Sequence, residues 1–272
     1  MPDGLGAYLM NRTSISDLKR KAKDQLLGNY GIATGSFALI FVLSYAIMTV
    51  VTSAIAGVGV SNSKPVFDTG TIPGEIAVRV LGVVVTAIST VLTTGYTYVI
   101  RRIADKEKPT VSDLFYVFKN HPDKVVIISL IMTVLQFILQ LPAILVGHGG
   151  FMTGEAASPV DLNIDGKKFL LWIVLYLAGF IVSFVIDLYL AMAFLIYLDD
   201  SEESVGNIIK RSIFLMRGNV LRYFYMLLTF AGYYVLIILS LGIAALWVVP
   251  YQTMAMVRFY YSIREDVYES GI

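Results

Sequence analysis

Six long apolar runs, at 30–60, 80–100, 125–146, 169–198, 220–242 and 243–261, set the plan of this chain. A helix needs roughly 20 apolar residues to cross the hydrocarbon of a bilayer, and each run meets or approaches that length. The first run is longer than a single span requires, so it must tilt, kink or project beyond the bilayer. The fourth is interrupted only by Asp187, and almost no loop separates the fifth from the sixth. The expected fold is therefore all-α: a polytopic membrane protein of six transmembrane helices.

The polar stretches on one side of these runs share a grammar. In the first, Ser14 and Asp17 have the spacing of a capping box, which predicts a helix over 14–27. Ile15, Leu18, Ala22 and Leu26 fall on one face of that helix, and Lys19, Arg20, Lys21 and Lys23 crowd the rest. Such a helix would lie along an anionic leaflet with those four side chains facing lipid headgroups. The plainer alternative is a basic topology anchor without a specific ligand. In the second stretch, Pro109 to Asp113 caps a short helix whose expected apolar face is Leu114, Phe115 and Phe118. The third opens on the acidic group Asp199-Asp200-Ser201-Glu202-Glu203, with Ser201 as the cap.

A hydroxyl cap (Ser14, Thr110, Ser201) thus precedes each amphipathic helix, and an asparagine (Asn29, Asn120, Asn219) marks the turn into the next apolar hairpin. This pattern predicts a single six-span domain over 14–268. It would hold three units of interfacial helix plus hairpin, at 14–100, 110–198 and 201–264, in a pseudo-three-fold bundle. The competing explanation is that any protein with paired spans needs capped connections on one side. Residues 1–13 read as an N-terminal extension and 269–272 as a tail. Met10 stands directly before the first patterned segment and is an alternative start to Met1.

Charge orients the bundle. Of the 21 Lys and Arg residues, sixteen fall in 1–29, 101–124, 199–222 and the stretch from Arg264. Only Lys64, Lys167 and Lys168 fall in the opposite loops, while Arg79 and Arg258 lie at span edges. The positive-inside rule then places both termini in the cytoplasm of a cell whose plasma membrane holds the protein. Composition agrees: 57% of residues are hydrophobic and 15% charged, against about 45–50% and 25% in soluble domains. A net charge of +1 gives no basic stripe for nucleic acid. The absence of cysteine removes disulfides, thiolate metal sites and cysteine nucleophiles. The first ten residues lack the charged and apolar regions of a cleavable signal.

Candidate chemistry is sparse. The two histidines, His121 and His148, fall on opposite sides of the expected membrane, and no catalytic or nucleotide motif is present. No enzyme activity, metal or cofactor is therefore expected. Asp187 is the most informative residue, because an acid within a span is expensive and commonly functional. Arg258 is its expected ion-pair partner, with Gln252 on the same helix. Gln136 and Gln140 share a helix face, and Tyr251 follows Pro250, which frees a backbone carbonyl inside the last run. These six residues form the candidate intramembrane site, as a structural ion pair or as a proton or substrate site. Most tyrosines of the last hairpin are expected to be aromatic-belt anchors. Gly31 and Gly35 have the spacing of a close helix contact, within the chain or in a dimer, or else of a flexible lead-in.

Two ends of the chain also carry a resemblance. Gly218-Asn219, Leu241-Gly242-Ile243, Leu246-Trp247-x-x-Pro250-Tyr251, Ala255 and Phe259-Tyr260 resemble the C-terminal pattern of the bacterial integral membrane proteins grouped as domain of unknown function 975. Ser16-x-Leu18-Lys19, Ala22 and the Gly28-Asn29-Tyr30 turn resemble their opening. The resemblance implies an uncharacterised multi-pass protein and brings no catalytic residues with it. The expected role is non-enzymatic: binding, sensing or resistance to membrane-active agents at the envelope, with membrane lipids and a peptide or protein as the expected partners. The alternative is a small-solute or lipid transporter or channel lined by the intramembrane polar residues.

Overall fold

A computed structural model describes residues 13–56, 72–148 and 165–270. The proposed alternative start at Met10, most of the N-terminal extension, and most of the loops 61–73 and 148–168 lie outside the described residues. The described chain is all-helical, with α1 Ile15–Leu26, α2 Tyr30–Ala56 and α3 Ile72–Ala104 leading to a 3₁₀ turn at Val111–Phe115. Then follow α4 Tyr116–Lys119, α5 Pro122–His148, α6 Gly166–Leu190, α7 Ala193–Asp199 and α8 Val205–Met216. The last hairpin is α9 Val220–Leu228, α10 Ala231–Leu239 and α11 Ala245–Ser270.

Among the described residues, five stretches are long and apolar enough to cross a membrane: Tyr30–Ser53, Val80–Ala104, Pro122–Gly147, Gly166–Asp199 and Val220–Leu239. The sixth expected span falls in α11, a long helix whose second half carries Arg258, Arg264, Glu265 and Asp266. Those charges lower its hydropathy, and their partners lie within the bundle: Arg264 pairs with Asp199, Asp266 with Arg222. Much of α11 is buried, with Met254, Ala255, Val257, Phe259 and Tyr260 inaccessible.

The expected grammar of caps and asparagine turns has a physical basis in each connection. The Ser14 hydroxyl accepts the Asp17 N–H at 3.1 Å and donates to its carboxylate at 2.7 Å. The 3₁₀ turn carries a capping box between Thr110 and Asp113. In the third connection the cap is Ser204, which accepts the Asn207 N–H, and not Ser201. The acidic group 199–203 therefore precedes the helix and does not open it. Asn29, Asn120 and Asn219 make the same turn. Each donates its backbone N–H to the carbonyl three residues back, at 2.9, 3.2 and 2.9 Å. Each also donates its side-chain amide to the carbonyl four back, at 3.1, 2.8 and 3.0 Å. Both bonds satisfy last-turn carbonyls that the ending helix leaves open.

Helices α1 and α8 also run in register: Ser14 corresponds to Ser204, and Gly28-Asn29 to Gly218-Asn219. Both glycines have positive φ, and the buried positions Leu18, Ala22 and Leu26 correspond to Ile208, Ser212 and Met216. The middle connection is shorter and differs from its expected face. Leu114 and Val117 are buried there, whereas Phe115 and Phe118 are exposed. Leu114 thus keeps its expected place, while the tight 3₁₀ geometry buries Val117 beside it in place of Phe115 and Phe118.

Two expected spans are broken helices. The fourth run bends at 191–192, between α6 and α7, and the fifth at 229–230, between α9 and α10. Pro250 interrupts the hydrogen bonds of α11 as well. Backbone groups freed in a hydrocarbon setting need partners from the protein, and each interruption has one. The Tyr189 carbonyl accepts the Ser212 hydroxyl at 2.8 Å, and the Thr229 carbonyl accepts Lys19 Nζ at 3.2 Å. The Leu246 carbonyl, whose helical donor would be residue 250, accepts the Thr34 hydroxyl at 2.9 Å. Thr34→Val is expected to destabilise the protein by about 1 kcal/mol, with Thr34→Ser close to wild type. Thermal unfolding in detergent checks this, and an unshifted Thr34→Val would mean the carbonyl has another donor.

Gly31 and Gly35 are exposed, and a Cβ at either would meet nothing within 4 Å. Their spacing therefore makes no close helix contact among the described residues.

Candidate functional site

The basic helix α1 packs chiefly on α11, which places its cationic face beside the broken hairpin. The space between them is a cavity of about 640 Å³ lined by Ser14, Ser16, Lys19, Arg20, Lys23, Tyr225, Thr229 and Tyr251. A second cavity of about 280 Å³ shares Lys23 and Tyr251 and continues along Tyr30, Tyr233, Leu236 and Trp247. The two form one groove, cationic and hydroxyl-bearing at one end, aromatic and aliphatic at the other.

Lys19 is the anchor of this groove and is set apart from the other three basic residues. Its ammonium donates to the Thr229 hydroxyl at 3.0 Å and lies 4.4 Å from the centroid of the Phe230 ring. Tyr233 and Tyr251 complete the aromatic surround, at 5.4 and 5.9 Å. Burial there lowers the pKa of Lys19. Lys19 thus turns into the groove, where the break at 229–230 supplies its acceptors, and not out to the open surface as Arg20, Lys21 and Lys23 do. Arg20 and Lys23 are exposed and do line the opening, with Arg20 held by Asp17 at 2.8 Å. Lys21 is exposed but is not part of the groove lining.

The six residues of the expected intramembrane site separate into three places. Gln136 Nε2 lies 3.3 and 3.2 Å from the two carboxylate oxygens of Asp187, and with Gln140 they line a cavity of about 200 Å³ between α5 and α6. Arg258 is not in contact with them. Its guanidinium donates to the Gln25 side chain and to the Ala104 carbonyl, so the expected Asp187–Arg258 pair does not form. Gln252 accepts the Tyr234 hydroxyl at 2.7 Å, and Tyr251 lines the groove. Helical spacing along one segment placed Gln136 and Gln140 together; which helix lies opposite is a tertiary property that spacing does not contain.

A third constellation, which the sequence reading passes over, is the buried charge network around Asp199. Arg101 Nη2 approaches Asp199 at 2.6 Å and Arg264 Nη1 at 2.9 Å, while the Tyr260 hydroxyl donates to the same carboxylate. Tyr261 donates to Asp105 at 2.7 Å, which extends the network to the end of α3. The available signal was the recurrence of Arg and Asp on three elements: Arg101 and Asp105 at the end of α3, Asp199 at the end of α7 and Arg264 within α11.

A family model described as "Protein of unknown function (DUF975)" matches residues 10–267, nearly the whole chain. No curated protein and no solved structure matches the chain.

Proposed function

The chain belongs to the DUF975 family of proteins of unknown function, and from that premise we propose that it is a non-enzymatic, multi-pass plasma-membrane protein whose working part is the groove between α1 and the last hairpin. Its ligand is the headgroup region of an anionic lipid. The observation that carries this reading is the continuity of the two cavities through Lys23 and Tyr251. An amphiphile needs a cationic, hydroxyl-rich end for its phosphate and an apolar end for its chains, and the groove offers both in one line. Membrane-active peptides are typically rich in Lys and Arg, so Arg20 and Lys23 would repel them. A role in envelope resistance would therefore run through the lipid these peptides attack.

The same reading takes α11 as the sixth span, with both termini cytoplasmic and the three connections as copies of one unit. The basic bias of those connections, the shared asparagine turns and the register of α1 with α8 support it. Because the chain has no cysteine, single cysteines at Lys106 and Lys167 should label from opposite sides of sealed vesicles; labelling from one side would overturn the six-span topology. A transport path lined by all six intramembrane polar residues is the weaker reading, since Asp187, Arg258 and Gln252 hold separate partners.

Lipid selectivity tests the function. Purified protein in zwitterionic detergent is expected to retain phosphatidylglycerol over phosphatidylcholine, and added salt should erode the preference. Neutralising Arg20 and Lys23 together, as Arg20→Met with Lys23→Met, should weaken phosphatidylglycerol binding by about tenfold or more, at about 1 kcal/mol per basic residue near an anionic surface. Equal retention of both lipids by wild type would sink the proposal.

A further inference from the structure

Two polar stripes face one another across the α5–α6 pair. On α5, Gln136 and Gln140 are one turn apart; on α6, Gly179, Ser183 and Asp187 follow at successive turns. Gly179 permits the approach. A Cβ there would lie 2.7 Å from the Leu139 carbonyl oxygen, so the bare backbone lets α5 close on α6 beside Gln140. Phe180 and Phe184 complete the wall of the cavity of about 200 Å³ that results.

The hydrogen-bond inventory of this cavity is lopsided. Gln136 Nε2 is the donor directed at the Asp187 carboxylate, at 3.2 and 3.3 Å. Ser183 is only 8% exposed, and its hydroxyl has no partner. Gln140 Oε1 is buried and also without a partner. Two carboxylate oxygens, an amide oxygen and a hydroxyl oxygen thus line one small space with a formal charge of −1. No Lys or Arg among the described residues pairs with Asp187 there, Arg258 being held by Gln25 and Ala104. Left uncompensated, such a set would be strongly unfavourable inside a membrane.

We propose that this notch is a binding site for a monovalent alkali cation, held by the Asp187 carboxylate, Gln140 Oε1 and Ser183 Oγ. Hard oxygen donors suit a hard cation, and one carboxylate matches one positive charge. A divalent ion would leave an excess positive charge in the same setting. A proton on Asp187 would neutralise the carboxylate but would leave the Gln140 and Ser183 oxygens as they are. The cavity is also roomy enough for an ion with a few waters, each occupying about 30 Å³. The site is separate from the groove, so it stands or falls independently of the lipid reading.

Thermal unfolding of the full chain in detergent, followed by intrinsic fluorescence, tests the site. Choline chloride is replaced stepwise by sodium or potassium chloride at constant ionic strength and pH. The expected result is a saturable rise in Tm of a few degrees with at least one alkali ion. Asp187→Asn should abolish the rise, Ser183→Ala should raise the half-maximal concentration at least tenfold, and Lys23→Met should leave both unchanged. If Asp187→Asn does not fold, Ser183→Ala and Gln140→Leu carry the test. The proposal is overturned by a wild-type Tm that is indifferent to the cation. It is equally overturned by a linear, unsaturating cation effect, or by a shift that survives in the cavity variants.

Discussion

Asp199→Ala is expected to lower the stability of the protein by about 3–5 kcal/mol, the range for removing one member of a buried ion pair. The Asp199 side chain is 13% exposed; its Oδ2 accepts from Arg264 and Tyr260 on α11, and its Oδ1 forms an ion pair with Arg101 at the end of α3. Without it, Arg101 is left with Asp105 at 3.8 Å as its nearest carboxylate, and Arg264 loses its ion pair. The guanidinium of Arg101, 17% exposed, would then sit desolvated and uncompensated. The effect should persist in high salt, because screening acts weakly on buried charges. Asp199→Asn should be milder, since it keeps an acceptor for Tyr260. In the double variant Asp199→Ala with Arg101→Met the loss should be smaller than the sum of the two single losses. Unfolding in detergent provides all four values, and a wild-type-like Asp199→Ala would mean the network contributes nothing.

This network also marks where sequence reading stops. The apolar runs, the Ser14 and Thr110 caps and the three asparagine turns were all legible, because each depends on neighbours within about five residues. The prediction that Pro250 frees a carbonyl was equally local, and Leu246 has that role. Its partner Thr34 lies more than two hundred residues away, and so do Thr229 for Lys19 and Gln25 for Arg258. Such pairings depend on which helices become neighbours, and hydropathy says nothing about that in a chain where most faces are apolar. The misplaced pair Asp187–Arg258 is the same limit from the other side. Opposite charge and similar depth made them plausible partners, but Arg258 faces α1 and the end of α3, whereas Asp187 faces α5. The breaks at 191–192 and 229–230 were hidden for another reason: neither contains Gly or Pro, and each is held by a donor from a different element.

The other large effect is expected at Gly95. A Cβ on this buried residue of α3 would lie 1.9 Å from the Leu114 carbonyl oxygen and 2.9 Å from its carbonyl carbon. Both are backbone atoms, so no side-chain rotation relieves the clash. The 3₁₀ turn would have to lift by more than 1 Å, a distance set by ordinary contact radii. That turn is fixed at several points: Leu114 and Val117 are fully buried, Tyr98 stacks on Tyr116 at 3.9 Å, and Arg102 pairs with Asp113 at 2.7 Å. Lifting it exposes the two aliphatic side chains and separates the stacked rings. Gly95→Ala is therefore expected to destabilise by about 3 kcal/mol or more, at the upper end of overpacking effects. Gly82→Ala, where a Cβ meets nothing within 4 Å, should be neutral or mildly stabilising. Limited trypsin digestion separates local from global damage. Lys106, Lys108 and Lys119 flank the turn, and in Gly95→Ala they should be cut well before the rest of the chain. Uniform resistance in both variants would show that the connection absorbs the added Cβ without leaving α3, and that the close approach at Gly95 does not hold it in place.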